Sequence, residues 1–147
     1  MIKLIAHRGN TTGSDSRENK PEFLQTAIDN GFDIEVDLWN VGGNWFLGHD
    51  EPTYKIDSPF TLFDNSKVWW HCKNFEALEK LQGSDLNYFW HQEDDHTLTS
   101  KGFIWTYPGK EMGTCNVIVM PETVMSLDDI KKLKCFAICS DLVNLIS

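Results

Sequence analysis

The sequence contains no apolar run long enough to cross a membrane, and its first residues lack a basic segment followed by an apolar stretch. We therefore expect a cytoplasmic protein without membrane insertion. Positive charge is also scarce. The chain has 13 lysines and arginines but 22 aspartates and glutamates, which gives a formal net charge of −9. This balance argues against nonspecific attraction to nucleic acid or to anionic membranes. An anionic ligand would bind only where cations or a metal reverse the local field.

Paired cysteines and several common enzyme motifs are missing as well. None of the four cysteines belongs to a C-x-x-C pair, and Cys72, Cys135 and Cys139 lie in apolar runs, where we expect reduced, packed thiols. The chain has no G-x-S-x-G, P-loop or G-x-G-x-x-G motif, which leaves serine hydrolase, nucleotide-triphosphate and Rossmann functions without support. No repeat or linker divides the chain, so residues 1–147 are predicted to form a single domain.

Short apolar runs, rich in β-branched and aromatic residues, predict eight strands. They cover residues 3–8, 32–38, 44–50, 67–73, 87–94, 102–108, 116–122 and 135–141. Capping residues predict three helices, one from Asn19 to Gly31, one from Asn74 to Gly83, and one that begins at Ser126. The final LVNLIS suggests a short fourth helix.

The alternation of strands and helices predicts an α/β fold with a parallel sheet, and eight strands favour a closed (β/α)8 TIM-type barrel. Such barrels typically have about 250 residues and rarely fewer than about 200. Segments 95–101 and 109–115 are too short for crossover helices. The predicted fold is therefore a minimal or distorted (β/α)8 barrel with several crossover helices shortened or missing.

Chemically reactive side chains stand at the C-terminal ends of nearly all predicted strands. They are His7, Arg8, Glu35, Asp37, His49, Asp50, His71, Lys73, His91, Glu93, Tyr107, Glu122 and Asp141. The C-terminal ends of barrel strands converge on one rim, where the active sites of such barrels lie. The sequence therefore predicts a site built from these strand ends.

Residues 32–50, FDIEVDLWNVGGNWFLGHD, contain the most informative pattern. Alternation places Glu35 and Asp37 on one face of a strand. Two close carboxylates repel each other unless a cation lies between them, and hard oxygen ligands suit Mg²⁺, Ca²⁺ or Mn²⁺. An ordinary edge strand with its acidic side chains in water would have the same sequence pattern.

A Gly-Gly turn in this stretch predicts a hairpin that returns His49 to the level of the acids. With the two glycines at the centre of the turn, Val41 pairs with Asn44 and His49 falls opposite Val36. Strict alternation then puts His49 on the wrong face. A bulge or a looser turn would bring it beside the carboxylates.

The N-terminal AHRGN adds His7 and Arg8 at the end of the first strand. The planar guanidinium of Arg8 suits a phosphate group. Two histidines, an arginine and a carboxylate-bound metal at one rim would form a site for phosphodiester cleavage. One histidine would take a proton from the nucleophile, and the other would give one to the leaving alkoxide.

The ordered motifs HRG (7–9), EN-x-P (18–21), ExD (35–37) and HD (49–50) resemble the glycerophosphodiester phosphodiesterase family, part of the phosphatidylinositol-phospholipase-C-like barrel superfamily. The resemblance is dense over residues 4–52. Beyond them, HCK (71–73) falls where the family has E-x-K, and ICSD (138–141) falls at its last barrel strand.

The resemblance implies a role for several residues of the chain. His7 and His49 would be the catalytic acid–base pair, Glu35 and Asp37 would hold the metal, and Arg8 and Lys73 would bind phosphate. Glu18 would brace the rim, and Asp50 is a further supporting residue. The implied substrate is a small glycerol-type phosphodiester, attacked by water or by a neighbouring hydroxyl.

Three histidine- or lysine-bearing segments extend or modify this prediction. His71 stands where the family usually has a third metal-binding glutamate, and an imidazole ligand favours Mn²⁺ or Zn²⁺ over Ca²⁺. His91, a supporting residue in HQEDDH, shares a strand face with Glu93 and would form a second metal or base cluster with it, or the segment is a strand end that runs into a solvated acidic loop. Lys110, in TYPGK, would bind substrate phosphate, although a Pro-Gly turn explains the same letters.

Two functions compete at this point. The first is a metal-dependent phosphodiesterase, favoured because both catalytic histidines are present. The second is a catalytically inactive barrel that binds a phosphorylated sugar or lipid head group, favoured by His71 and by the short chain. We also expect a homodimer, because a barrel with few covering helices exposes apolar strand edges.

Overall fold

The computed structural model describes residues 1–147 and contains ten strands and four α-helices. The strands are β1 (Lys3–His7), β2 (Asp33–Val41), β3 (Asn44–Leu47), β4 (Tyr54–Ile56), β5 (Val68–Cys72), β6 (Tyr88–Trp90), β7 (His96–Leu98), β8 (Ile104–Thr106), β9 (Asn116–Val119) and β10 (Ala137–Ser140). The helices are α1 (Pro21–Asp29), α2 (Phe75–Leu81), α3 (Leu127–Ile130) and α4 (Val143–Ile146). Two short 3₁₀ turns cover Asn65–Lys67 and Pro121–Thr123.

All ten strands belong to one mixed, curled sheet. Neighbouring strands run parallel in the order β6-β5-β2-β1-β10-β9-β8. Antiparallel strands extend this parallel part at two places. Strand β3 pairs with the C-terminal half of β2 and β4 pairs with β3, while β7 pairs with β8. Strand β6 pairs only with β5, so the sheet forms a curled half-barrel.

The predicted (β/α)8 TIM-type barrel is wrong, even in its minimal form. Two of the four helices have only four residues, so no helical ring surrounds the sheet. The third predicted strand turns back as the antiparallel β3, because Gly42 and Gly43 reverse the chain after β2. The chain between β6 and β8 forms the antiparallel β7 instead of a crossover helix.

The individual elements follow the local sequence signals more closely. All eight predicted strands are present, although several are shorter than predicted, and the three-residue strands β4 and β7 were not predicted. The caps at Asn74 and Ser126 are confirmed, since their side chains accept the backbone N–H of Ala77 and Asp129. The predicted cap at Asn19 is wrong, because α1 begins after Lys20.

The alternation of side chains along the strands separates two apolar cores. Even-numbered residues of β2, such as Ile34 and Val36, pack beneath α1 and α2 in a cluster of 17 buried residues. Odd-numbered strand residues, such as Trp69 and Phe89, fill the concave side in a second cluster of 8. Near the C-terminal strand ends, polar side chains replace this inner core and form the candidate site.

Gly48 directs the chain from β3 into the site. The φ angle of Gly48 is 152°. Its backbone N–H donates to the carbonyl oxygen of Asp37, with 3.2 Å between nitrogen and oxygen. The indole N–H of Trp39 donates to the carbonyl oxygen of Gly48 at 2.6 Å. A Cβ here would overlap the carbonyl oxygen of Glu51 and lie 2.8 Å from Oγ1 of Thr53. Only glycine therefore fits this turn.

We expect Gly48→Ala to lower the free energy of unfolding by roughly 3–4 kcal/mol, because it combines a steric overlap with backbone strain. Gly43→Ala is the matched control, since Gly43 has a φ of 86° but no atom within 4 Å of the added Cβ. Its cost should be about 1 kcal/mol. Urea unfolding followed by tryptophan fluorescence measures both, and equal losses would contradict the steric argument.

Candidate functional site

A cavity of about 790 Å³ opens at the C-terminal ends of the parallel strands. Its polar lining comprises His7, Arg8, Glu35, His49, His71, Lys73, His91, Gln92 and Thr123. Its other lining residues are Trp105, Tyr107, Pro108, Val119, Met120 and Val124. The structure therefore brings most of the predicted site residues to one cavity.

His7 forms a hydrogen-bonded pair with Asp141. Strands β1 and β10 are parallel neighbours, and the Ala6–Ser140 register sets the two side chains side by side. Nδ1 of His7 donates to Oδ1 of Asp141 at 2.8 Å, and Asn10 donates to the same oxygen at 3.0 Å. Burial alone would lower the pKa of His7, but Asp141 and the charge of Glu35 outweigh it and raise that pKa above its ordinary value. Nε2 is the nitrogen left to act on a ligand.

Arg8 is held in the site by contacts on its backbone and on its guanidinium. Its φ of 55° is followed by Gly9 at 84°, a turn that lets the Arg8 N–H donate to Glu35. Nη1 donates to Glu18 at 3.0 Å, Nη2 lies 3.1 Å from Nε2 of His49, and Nε lies 3.4 Å from Oδ2 of Asp37. The positive charge is therefore fixed beside the carboxylates.

Asp37 is fully buried and is bound by the amide of Asn19. Nδ2 of Asn19 donates to Oδ2 of Asp37 at 2.8 Å, and the Asp37 N–H donates to Oδ1 of Asn19 at 3.0 Å. Asn19 has a φ of 65°, a conformation that asparagine tolerates better than most residues. Its task is therefore to orient a carboxylate, which explains why it does not cap α1.

His71 faces both carboxylates from the neighbouring strand β5. Its Nδ1 lies 3.2 Å from Oδ1 of Asp37 and 3.4 Å from Oε2 of Glu35, and its Nε2 donates to the carbonyl oxygen of His91 at 3.0 Å. Burial alone would lower the pKa of His71, but the two carboxylates raise it to about 9. In the protein alone, the His71 proton therefore compensates the acidic pair.

The residues of this cluster also fit a divalent cation. One ligand atom from each of Glu35, Asp37 and His71 lies within 4.8 Å of the others, and Oδ1 of Asp37 accepts no hydrogen bond. A ligating histidine commonly donates its second N–H to a carbonyl, as Nε2 of His71 does here. Two oxygens and an imidazole suit Mn²⁺, Mg²⁺ or Zn²⁺. Either a proton on His71 or a bound cation would neutralise the carboxylates.

His49 lies beside the acids, but it reaches them by a different route from the predicted bulge. The predicted Val41–Asn44 pairing is present, and β3 ends at Leu47. The turn at Gly48 then places Nδ1 of His49 3.5 Å from Oδ2 of Asp37. Arginine only donates hydrogen bonds, so Nε2 of His49 accepts from Arg8.

The remaining predicted residues divide into two groups. Lys73 and His91 line the cavity, and Nδ1 of His91 bonds Asp94 at 2.9 Å. Asp50 has a side chain that is 95% exposed, and Lys110 lies outside the cavity lining with Asp95 3.5 Å from its amine.

The sequence placed Asp141 at a strand end of the site but did not indicate its pairing with His7, and it did not indicate the roles of Asn10, Asn19 or Asp94. Their positions in HRGN, EN-x-P, HQEDDH and the end of ICSD were the only local signals.

No family model, curated protein or solved structure matches this chain. None of its helices has the length and apolar character that a membrane crossing requires. The motifs and the geometry of the cavity are therefore the features of the chain that bear on its function.

We expect Asn19→Asp to lower the free energy of unfolding by about 3 kcal/mol, because it sets a second carboxylate against buried Asp37. Asn19→Gly keeps the positive φ and removes only the two hydrogen bonds, so its cost should be about 1–2 kcal/mol. Urea titrations at neutral pH compare the two variants. An Asn19→Asp protein as stable as the parent would show that Asp37 does not need the amide donor.

Proposed function

We propose that the protein is a metal-dependent phosphodiesterase that hydrolyses a glycerophosphodiester or a related small phosphodiester with histidine acid–base catalysis. The observation that carries this proposal is the shared cavity. It combines an oriented histidine, a fixed arginine and a cluster suited to a divalent cation. Together these groups match the chemical needs of a reacting phosphodiester.

Arg8 and Lys73 are the proposed phosphate ligands. Nη1 and Nη2 of Arg8 each use one N–H on a neighbouring side chain, which leaves a second N–H on each for phosphate oxygens. Lys73 follows β5 and lines the same cavity as a second cation. These two residues bring positive charge to the cavity of a chain whose net charge is −9.

His7 is the proposed general base. Its Nε2 would take a proton from the attacking water or from a neighbouring substrate hydroxyl, and Asp141 would stabilise the resulting imidazolium. Glu35, Asp37 and His71 would hold the cation, which when bound supplies positive charge to the phosphoryl oxygens.

A second proton-transfer group is needed for the leaving alkoxide. The resemblance of the HD motif gives this role to His49, and His91 is the other histidine of the cavity that is not in the cation cluster. Phosphoryl transfer places the attacking and leaving oxygens roughly in line. The donor must therefore approach phosphorus from the side opposite the base.

A catalytically inactive protein that binds a phosphorylated sugar or lipid head group is the second candidate function. The observation that favours it is the position of His71, whose Nδ1 lies 3.2 Å from Asp37 and 3.4 Å from Glu35, so that a proton on this ring would offset the carboxylates without a metal. Such a protein would bind phosphate esters through Arg8 and Lys73 and would release no product.

Product release from a panel of glycerophosphodiesters by metal-stripped protein, with Mg²⁺, Ca²⁺, Mn²⁺ or Zn²⁺ added back, separates the two functions. We expect metal-dependent turnover and a loss of kcat of about 100-fold or more in His7→Gln. His96→Gln is the matched control, because His96 is exposed and lies outside the cavity. Absence of turnover with every metal, together with saturable binding of glycerol phosphate, would instead support the binding protein.

The proposal includes a homodimer formed through the outer face of β7 and β8, at one edge of the parallel part of the sheet. Leu98 on β7 is 66% exposed and pairs across the strands with Ile104, which is 40% exposed. The far side of β7 lies against β6, because Thr97 donates to the carbonyl oxygen of Trp90. The exposed apolar pair is therefore the surface that a second copy would cover.

We expect the sedimentation coefficient of the parent protein to rise with concentration, and Leu98→Lys to abolish the rise. Leu145→Lys is the control, because Leu145 is 48% exposed on α4, away from that edge. A monomer at all concentrations would remove the dimer from the proposal. The cytoplasmic location stays a prediction.

A further inference from the structure

We propose that His91, oriented by Asp94, is the second catalytic histidine and donates the proton that the leaving alkoxide requires. This inference rests on the proposed phosphodiesterase function. It assigns to His91 the role that the motif resemblance gives to His49.

The structure holds the His91 ring firmly at the cavity wall. His91 follows β6, and its Nδ1 bonds Oδ2 of Asp94 at 2.9 Å, while the N–H of Gln92 donates to the other carboxylate oxygen at 3.0 Å. The backbone carbonyl of His91 accepts from His71, which ties the residue to the cation cluster. The side chain is only 11% exposed. Nε2 has no protein partner and is the nitrogen available to a ligand in the cavity.

This arrangement repeats the one at His7. Both histidines use Nδ1 to bond an aspartate, at 2.8 Å for Asp141 and 2.9 Å for Asp94, and both keep Nε2 for a ligand. An aspartate at Nδ1 sets the tautomer and stabilises the imidazolium form. The cavity is therefore lined by two histidines that share this Nδ1–aspartate arrangement.

The two pairs stand on either side of the cation cluster. In the strand order β6-β5-β2-β1, His91 follows β6 and His7 ends β1, while the cluster lies on the two strands between them. A phosphoryl group bound at the cluster would therefore have one histidine on each side. In-line displacement requires this placement of the base and the acid.

His49 is arranged differently. Its Nε2 accepts from Nη2 of Arg8 at 3.1 Å, and its Nδ1 faces Asp37 at 3.5 Å, so both ring nitrogens are directed at protein groups. An Nε2 that faces an arginine donor carries a lone pair and no proton to give. His49 is better placed to position Arg8 and Asp37 than to protonate an alkoxide.

These groups account for every proton that is transferred during the hydrolysis. Water attacks phosphorus and gives its proton to Nε2 of His7, the bond from phosphorus to the alcohol oxygen breaks, and its electron pair stays on that oxygen. His91 enters the step as an imidazolium, with Nδ1–H on Asp94 and Nε2–H towards the cavity, and it gives the Nε2 proton to the oxygen. The alcohol and a phosphate monoester are released, and His91 is left neutral. Exchange of one proton with solvent at each histidine restores the starting state.

Two glycerophosphodiesters that differ only in the leaving alcohol test this assignment. Glycerophosphoethanol releases a basic alkoxide that needs a proton, whereas glycerophospho-p-nitrophenol releases a stable anion that does not. We expect His91→Gln to lower kcat about 100-fold or more on the ethanol ester and less than about 5-fold on the p-nitrophenyl ester. His7→Gln should lower kcat on both esters, because both require a base.

Two further variants, Asp94→Asn and His49→Gln, show whether the effect is specific to the His91–Asp94 pair. Asp94→Asn should lower kcat on the ethanol ester by about 10-fold, with little effect on the p-nitrophenyl ester. His49→Gln should affect both esters by similar factors, as a residue that positions Arg8 would. Urea midpoints within the error of the parent protein show that each variant is folded.

Each remaining result would overturn the assignment. Equal losses on the two esters in both His91→Gln and Asp94→Asn would make the pair a structural clamp. A loss confined to the ethanol ester in His49→Gln would place the acid at His49. Cleavage of only the p-nitrophenyl ester by the parent protein would exclude any internal proton donor. A parent protein that cleaves neither ester would overturn the proposed function, and the role of His91 with it.

Discussion

The buried carboxylate of Asp37 is the constraint on which the site depends. An ionised carboxylate inside a protein costs several kcal/mol unless charges and hydrogen bonds compensate it. Burial alone would raise the pKa of Asp37, but His49, His71 and Arg8 outweigh it and hold that pKa well below its ordinary value. With Asn19, these partners come from the segment after β1, the turn after β3 and strand β5. Compensation of the Asp37 charge therefore requires residues from distant parts of the chain.

The groups that compensate these acids also bring positive charge to the cavity. Arg8 and His71 offset buried acids, and Lys73 adds a further positive charge at the rim. On a chain that is acidic overall, the proposed phosphodiester would approach at this one place. Parallel strands are sufficient for this arrangement, because their C-terminal ends bring the groups together without a closed barrel or a helical ring. The proposed chemistry would therefore depend on the strand ends and not on a complete barrel.

The overall fold could not be predicted with the same success as its strands. Strand positions follow from local alternation and β-branched composition, so all eight predicted strands are present. Closure of a barrel depends on crossovers and on the pairing of distant edges, which no local pattern encodes. The Gly42-Gly43 hairpin was predicted with its Val41–Asn44 pairing, and in the structure the antiparallel strand that it forms takes the place of a parallel barrel strand. Asn19 is a second example, because the local sequence predicts a helix cap, whereas the folded chain uses its side chain to hydrogen-bond Asp37.

The sequence by itself determined which residues stand at the strand ends, because alternation places Glu35 and Asp37 on one face whatever the strand pairs with. It also determined that a turn at two glycines returns His49 to their level. Tertiary structure alone decided the hydrogen-bond partners, as for His7 and Asp141, which lie 134 residues apart. It also decided which ring nitrogen each histidine offers. Such pairings depend on strand register and on the curl of the sheet, and these are properties of the whole chain.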